Sequence, residues 1–575
     1  MWQCTVQELA GDGTKELDLE EKIVVPGFID SHVHLIWGGL QVYQCMLNLY
    51  ADRSKISDVG ILPIEKQMAQ VELHGVNCKD EFVRRVKAVR DLKKGSWILG
   101  GGWNNDLWGG DLPTTSWIDD ITPDNPVWLS RMDGHMGLAN SVALQMAGIT
   151  NLSEDPAGGT IMRTSSGEPT GLLVDAAMKL ILPWIPEVSV DERREALFRA
   201  SKHALMRGVT TVVDIGRYLP GASLQQPWDD FSDVYQWAVS SEKMRIRVCL
   251  FFPIQTWSRL ADLINKTGRA QSDWVYLGGV KAFADGSLGS NSALFHEPYA
   301  DEPDNYGLQI MDPESLLNMT LASDKSGLQV AIHAIGDKAN DLILDMYKSV
   351  AATTGKRDRR FRIEHAQHLA PGAAARFGDQ GVVASVQVFQ LPFRLSNICG
   401  LLPQHLLDDA DSAIKKLGMD RAQKGSYLFG SLLAGNAQLA LGSDWPVADI
   451  NPLGAIKTAM KRIPPGWDDA WIPSERISLI DSLIAYLTVS LSSMYDLMLS
   501  VIINRTLKLE YQHFLRGRHT SSAARGCFLE NYLGSLSPGK LADFVILSTS
   551  SWEDFAAEGT ASVEATYVSG MQAYP

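Results

Sequence analysis

Short apolar runs recur along the chain, separated by longer stretches with helical periodicity. The runs include VVPGFID at 24–30, PVWLSR at 126–131, VTTVVD at 209–214, IRVCLFF at 246–252 and GGVKAFAD at 278–285. QVAIHAIGD at 329–337, RIEHAQ at 362–367, VVASVQ at 382–387 and LALGSDWP at 439–446 continue the series. Strands apolar at nearly every position are buried on both faces, as in a parallel sheet covered by helices. Between them, DERREALFRASKHALMRG at 191–208 reads as an amphipathic helix. The alternation predicts an α/β protein built on a (β/α)8 TIM-type barrel. The tail breaks the pattern: GSLSPGKLADFVILSTS at 534–550 and ASVEATYVSGMQAY at 561–574 read as short antiparallel strands. KELDLEEKIVV at 15–25 is similar, so the two ends are expected to form a small β-sandwich beside the barrel.

Bulk properties narrow the picture. At 575 residues the chain exceeds one compact core, which fits a large barrel plus a smaller domain. A net charge of -15 repels phosphate backbones, so no nucleic-acid partner is expected. The six cysteines (4, 45, 78, 249, 399 and 527) are scattered and form no CxxC pair, which points to a reduced, cytoplasmic protein. The opening residues lack a basic segment followed by an apolar run. A longer N-terminus carrying a targeting segment would make the endoplasmic reticulum or a perinuclear site the alternative. The most apolar late stretch, 484–503, holds Asp496 and several serines, so no stable membrane span is expected.

The strongest chemical signal is DSHVH at 30–34. Positions i and i+2 of a strand point the same way, so His32 and His34 project together from a strand's C-terminal end. Two imidazoles on one face are a divalent-metal anchor. Taken alone, the pair also fits two histidines that merely end a strand. Similar residues at other strand exits strengthen the metal reading: His333 after LQVAI, His365 after RFRIE and Asp444 after LALGS. Together they supply the nitrogen and oxygen donors of a catalytic zinc-like site. Lys281 lies inside the apolar run GGVKAFADG, where an ammonium is costly unless paired or modified. It is either a salt-bridged lysine or one converted by CO2 to a carbamate. Trp103, Trp108 and Trp445 are candidates for the wall of an apolar pocket, although abundant tryptophan is more often packing. His74, His296 and His513 are read as structural or surface histidines.

These residues and their flanks resemble the amidohydrolase superfamily, in particular the amidohydrolase family 3 or YtcJ-like branch that includes N-substituted formamide deformylases. The matching stretches are VVPGFIDSHVHL at 24–35, GGWNNDLWGG at 101–110, NPVWLSRMDGHMGLANSVAL at 125–144 and GEPTGLLVDAA at 167–177. GGVKAFADGSLGS at 278–290, VAIHAIGDKA at 330–339, RFRIEHAQ at 360–367, LGSDWPV at 441–447 and GSLSPGKLADFVIL at 534–547 follow in family order. The narrower likeness is to the plant long-after-far-red group, linked to far-red light responses. The resemblance implies one or two divalent metals, zinc by expectation. His32 and His34 would hold the first, Lys281 would bridge as a carbamate, and His333 and His365 would hold the second. Asp444 would touch metal and act as general base. His135, in a matching DGH motif, would bind substrate or its oxyanion, with Trp103 and Asp285 also assigned to substrate binding. The partner is a small amide-type molecule, and a homodimer is the oligomer that similar proteins suggest.

The chain departs from the family pattern in two places. Only 31 residues precede the HxH motif, where relatives usually carry several strands. The stretch 487–518 interrupts a helix whose end resumes at 519. Removing it joins Ala485-Tyr486 to His519-Thr520-Ser521-Ser522-Ala523-Ala524, an A-x-x-T-x-x-A-A pattern, so it reads as an insertion such as a retained intron. The expected division is therefore 1–25 partial sandwich segment, 26–486 barrel, 487–518 insertion, 519–533 helix end and 534–575 C-terminal sandwich segment. The expected activity is metal-dependent hydrolysis of a non-peptide amide or N-formyl C–N bond. The alternatives are a non-catalytic or regulatory protein of the same fold in light signalling, and a cyclic-amide hydrolase or deaminase.

Overall fold

The computed structural model describes residues 17–49, 68–89, 93–388, 405–487, 523–537, 539–556 and 561–575. The expected insertion beyond Leu487, His513 and the first sixteen residues lie outside these. Strands β1 (Val24–Pro26) and β2 (Phe28–Val33) open the described chain. Six strands follow: β3 (Met68–Glu72), β4 (Trp97–Trp103), β5 (Val127–Arg131), β6 (Met136–Ala139), β7 (Gly159–Arg163) and β8 (Pro169–Asp175). Then come β9 (Val209–Asp214), β10 (Arg247–Pro253), β11 (Val275–Phe283) and β12 (Gln329–Ala334). β13 (Arg362–His365), β14 (Val383–Gln387) and β15 (Gln438–Gly442) complete that series. β16 (Phe544–Leu547), β17 (Val563–Val568) and β18 (Met571–Tyr574) end the chain.

Eight strands form one parallel sheet in the order β15-β14-β13-β12-β11-β10-β9-β2. Its ends meet. Val33 bridges Trp445, the Asp444 amide donates to the His32 carbonyl at 2.7 Å, and the His34 amide donates to the Trp445 carbonyl at 2.7 Å. The sheet therefore closes into the expected barrel. Strands β2, β9, β10, β12, β13 and β14 are buried at every position, as their continuous apolar patterns require. Helices cover the outside. The helix Val190–Leu205 is typical: Ser189 caps it by accepting from the Glu192 amide, and Asp191 and Glu192 occupy its first turn. Its inner face buries Ala196, Leu197, Ala200 and Ala204.

The chain ends pair as expected. β1, β16, β17 and β18 form a four-stranded antiparallel sheet with Val24 opposite Ile546. Arg247 on the barrel pins this sheet through a buried, two-pronged pair with Asp543 at 2.7 and 2.9 Å.

One strand expected in the barrel lies elsewhere. The run 126–131 becomes β5 of a six-stranded sheet, order β3-β4-β5-β6-β8-β7, inserted between barrel strands β2 and β9. β3, β4 and β5 are parallel and the remaining pairings are antiparallel. Val127, Trp128 and Leu129 are all buried, so the local pattern matches that of a barrel strand. Among the described residues, no helix is long and apolar enough to cross a membrane.

Candidate metal centre

The C-terminal ends of the barrel strands, with one edge of the inserted sheet, surround a cavity of about 250 Å³. His32, His34, Lys281, His333, His365, Asp444 and His135 all line it. The first six come from β2, β11, β12 and β13 and from the loops that follow β2 and β15. They converge because a parallel barrel brings all its strand exits to one face. His135 comes from the turn between β5 and β6 of the inserted sheet.

The donor atoms cluster. One donor atom each from buried His32, His365 and Asp444 lies within 4.8 Å of the other two. Asp444 Oδ1 is 3.3 Å from both His32 Nε2 and His34 Nε2. The His333 and His365 rings are 4.5 Å apart between centroids, and those of His32 and His365 are 5.1 Å apart. His365 (φ 74°) and Asp444 (φ 57°) hold left-handed backbone conformations, which are unfavourable for side chains other than glycine. Such local strain is characteristic of functional sites, where the surrounding fold supports it.

Each imidazole is fixed by the hydrogen bond its other nitrogen makes. His32 Nδ1 donates to Glu364 at 2.6 Å, and His34 Nδ1 donates to the Gly216 carbonyl at 2.6 Å. His365 Nδ1 donates to Gln387 Oε1 at 2.8 Å, and His333 Nε2 donates to the Gly286 carbonyl at 3.0 Å. These acceptors set the tautomer and place the lone pair on the opposite nitrogen, toward the cavity. Burial holds His32 and His333 below the ordinary histidine range, with Lys281 adding to both shifts, so both are neutral and able to ligate. Burial also pulls the Lys281 ammonium down to about 8. Glu364 stays well below the usual carboxylate range, because Arg362 and His32 outweigh its burial.

His135 faces the same cavity with its Nδ1 donating to buried Asp175 at 2.6 Å, and its ring centroid lies 5.0 Å from that of His333. Burial opposes charge on His135, but the Asp175, Asp133 and Asp285 carboxylates outweigh it and raise the imidazole above its ordinary value. Beside it, buried Arg131 donates to Asp133 (2.6 Å), Asn104 (2.9 Å), Asn105 (3.1 Å) and Asp106 (3.2 Å).

Two expected substrate contacts are not found at the cavity. Trp103 is buried in the core of the inserted sheet, where Nε1 donates to the Leu129 carbonyl at 2.8 Å. Its strand position turns the indole into the sheet's own core. Asp285 is also buried, and accepts from the amides of Leu294 (2.8 Å), Ile335 (3.0 Å) and Gly336 (2.8 Å). It pins the loop behind His333 and does not line the cavity. Trp445, buried, stacks on His203 at 5.3 Å and packs under Gly38, and Trp108 packs near Trp103 and Trp117. The bland readings of His74 and His296 agree with their pairing to Glu72 and Asp341. Glu364, Gln387, Asp175 and Arg131 went unread in the sequence. Glu364 adjoins His365, and a charged residue inside an apolar strand was the available signal, as at Lys281.

The fold and these strand-exit donors define an amidohydrolase-type barrel, and the chain belongs to the amidohydrolase family, whose model matches residues 15–574. It is 62% identical to Protein LONG AFTER FAR-RED 3 of Arabidopsis thaliana, over all of this chain and 86% of that protein. It is 32% identical to the putative amidohydrolase YtcJ of Bacillus subtilis, over 78% of this chain and 75% of that one. Among solved structures it resembles an uncharacterized metal-dependent hydrolase from Pyrococcus horikoshii, with a TM-score of 0.63 and 24% identity, over 96% of this chain and 90% of the other. At that identity the likeness speaks for the fold.

Proposed function

We propose that this protein is a metal-dependent hydrolase of non-peptide C–N bonds, acting on a small amide or N-formyl compound. The observation that carries the reading is the donor cluster of His32, His365 and Asp444 within 4.8 Å at the floor of a barrel-mouth cavity. The donors fit a divalent metal: buried imidazoles supply neighbouring nitrogen donors, and an aspartate carboxylate adds a hard oxygen. His32, His34 and Asp444 would hold one ion, and His333 and His365 a second, with zinc the best match for the nitrogen-rich set. When bound, the metal supplies Lewis acidity that polarises the carbonyl and makes water a nucleophile at neutral pH.

Lys281 would bridge the two positions as a carbamate. Its neutral Nζ adds to the carbon of CO2: an N–C bond forms, one C=O π pair moves onto oxygen, and one proton leaves Nζ, turning a would-be cation into a carboxylate. Burial, by lowering the ammonium to about 8, brings that neutral amine within reach near neutral pH. Asp444 would take the proton from the attacking water and deliver it to the departing amine. His135, held by Asp175 and raised in basicity, would donate to the developing oxyanion from the opposite wall. The N-formyl preference rests on the motif resemblance to the branch containing formamide deformylases.

The test is metal content per purified chain together with amine release from a panel of N-formyl and N-acyl amines. About one or two metals with measurable amine release supports the reading. A folded chain that takes up no zinc, even with bicarbonate present, defeats it. A second reading, a regulatory amidohydrolase-fold protein in light signalling, is favoured by the 62% identity to LONG AFTER FAR-RED 3. Metal uptake without turnover of any amide would move the conclusion there.

A further inference from the structure

We propose that Glu364 positions and strengthens His32 as a metal ligand, and that Arg362 holds Glu364 to that task. The inference rests on the metal-binding reading above. Glu364, Arg362 and His32 are all essentially inaccessible to solvent. Glu364 Oε1 accepts from Arg362 Nε at 2.6 Å, while Oε2 accepts from His32 Nδ1 at 2.6 Å and from the second Arg362 nitrogen at 3.2 Å. Arg362 also reaches the Ser31 carbonyl at 2.8 Å and Ser385 Oγ at 3.0 Å, so one guanidinium ties β13 to β2 and β14 directly beneath the donor cluster.

A buried ion pair of this kind is rarely the most stable filling for a core, and apolar residues of similar volume often do as well or better. Its placement accounts for it. His34 and His333 lean on neutral backbone carbonyls and His365 on an amide side chain. His32 leans on a carboxylate at hydrogen-bond distance, 2.6 Å, while the Asp285 carboxylate stands 3.6 Å from His333 Nε2. A carboxylate partner fixes the tautomer and raises the basicity of the nitrogen facing the ion. The Glu364 carboxylate therefore makes His32 a stronger nitrogen donor than a neutral acceptor in its place would.

The experiment is a cobalt(II) titration of the full chain, read by visible absorption against a competing chelator, with the thermal midpoint of the metal-free protein measured alongside. The parent is compared with Glu364→Gln, Glu364→Asp and Asp543→Asn. The aspartate variant keeps a carboxylate for Arg362 but is one methylene short of His32. Asp543→Asn breaks a different buried ion pair, with Arg247, far from the cavity. We expect both Glu364 variants to lose about 10- to 100-fold in cobalt affinity. Asp543→Asn should bind cobalt like the parent despite a lowered midpoint. Folded Glu364 variants that bind like the parent overturn the inference, as does an equal loss in Asp543→Asn. If Glu364→Gln does not fold, Glu364→Asp decides. A parent that binds no cobalt overturns the metal-binding reading itself, and this inference with it.

Discussion

Strands β4 and β5 of the inserted sheet and β9, β10 and β11 of the barrel are both parallel runs rich in buried residues, yet they reach different ends. The barrel run continues in parallel until β15 meets β2, so every strand exit opens on one face. In the inserted sheet β6 turns back on β5 with Trp128 opposite Ala139, and the sheet stays open. One architecture collects donor side chains from many strands. The other contributes the loop after β4, with Asn104 and Asp106, and the turn after β5, with His135. A closed parallel sheet is a device for gathering donors at one place, whereas an open mixed sheet is suited to presenting one wall against it.

The largest effect that would break this division is on Asp444. Asp444→Asn should lower amide turnover by about 10²–10⁴, the usual weight of a general base, with further loss if metal leaves. Steady-state kinetics with metal analysis reads both, and near-parental turnover would remove Asp444 from the chemistry. Next is His135→Ala, which should cost about 10²–10³ in turnover, as for a lost oxyanion donor. Metal content should remain parental. If metal falls with activity, the inserted sheet belongs to the metal centre as much as the barrel does.

A smaller effect concerns stability and pH. Burial raises Asp285 to about 7, only partly offset by its three amide donors. An acid raised on folding stabilises the folded state below its unfolded pKa, and that contribution is lost as pH rises through the folded value. Metal-free protein should therefore lose up to about 4 kcal/mol of stability from this group between about pH 4 and pH 7. Asp285→Asn should flatten that decline in denaturant titrations, and an unchanged slope would show that Asp285 is not its source. Smallest is Trp103→Phe, which gives up the bond to Leu129 and some packing. It should destabilise the inserted sheet by about 1–2 kcal/mol. Hydrogen exchange should quicken in 68–175 and not in the barrel, and equal quickening in both would mean they unfold as one unit.

Much of this protein was legible from local pattern. The continuous apolar runs determined that there would be buried parallel strands. The HxH spacing predicted that His32 and His34 would share a face, as a strand's period of two implies, and both line the cavity although β2 ends at Val33. The polar residues ending apolar runs, His333, His365 and Asp444, marked the strand exits. Tertiary structure alone decided the rest. It assigned 126–131 to a second sheet, because a strand's neighbours are set by chain reversal and long-range pairing, which the strand's own residues do not encode. It turned Trp103 into a core and Asp285 into a loop anchor, since a side chain's surroundings depend on what packs against its strand. It also placed Glu364 under His32, 332 positions away in the chain, where a closed barrel brings them within 2.6 Å.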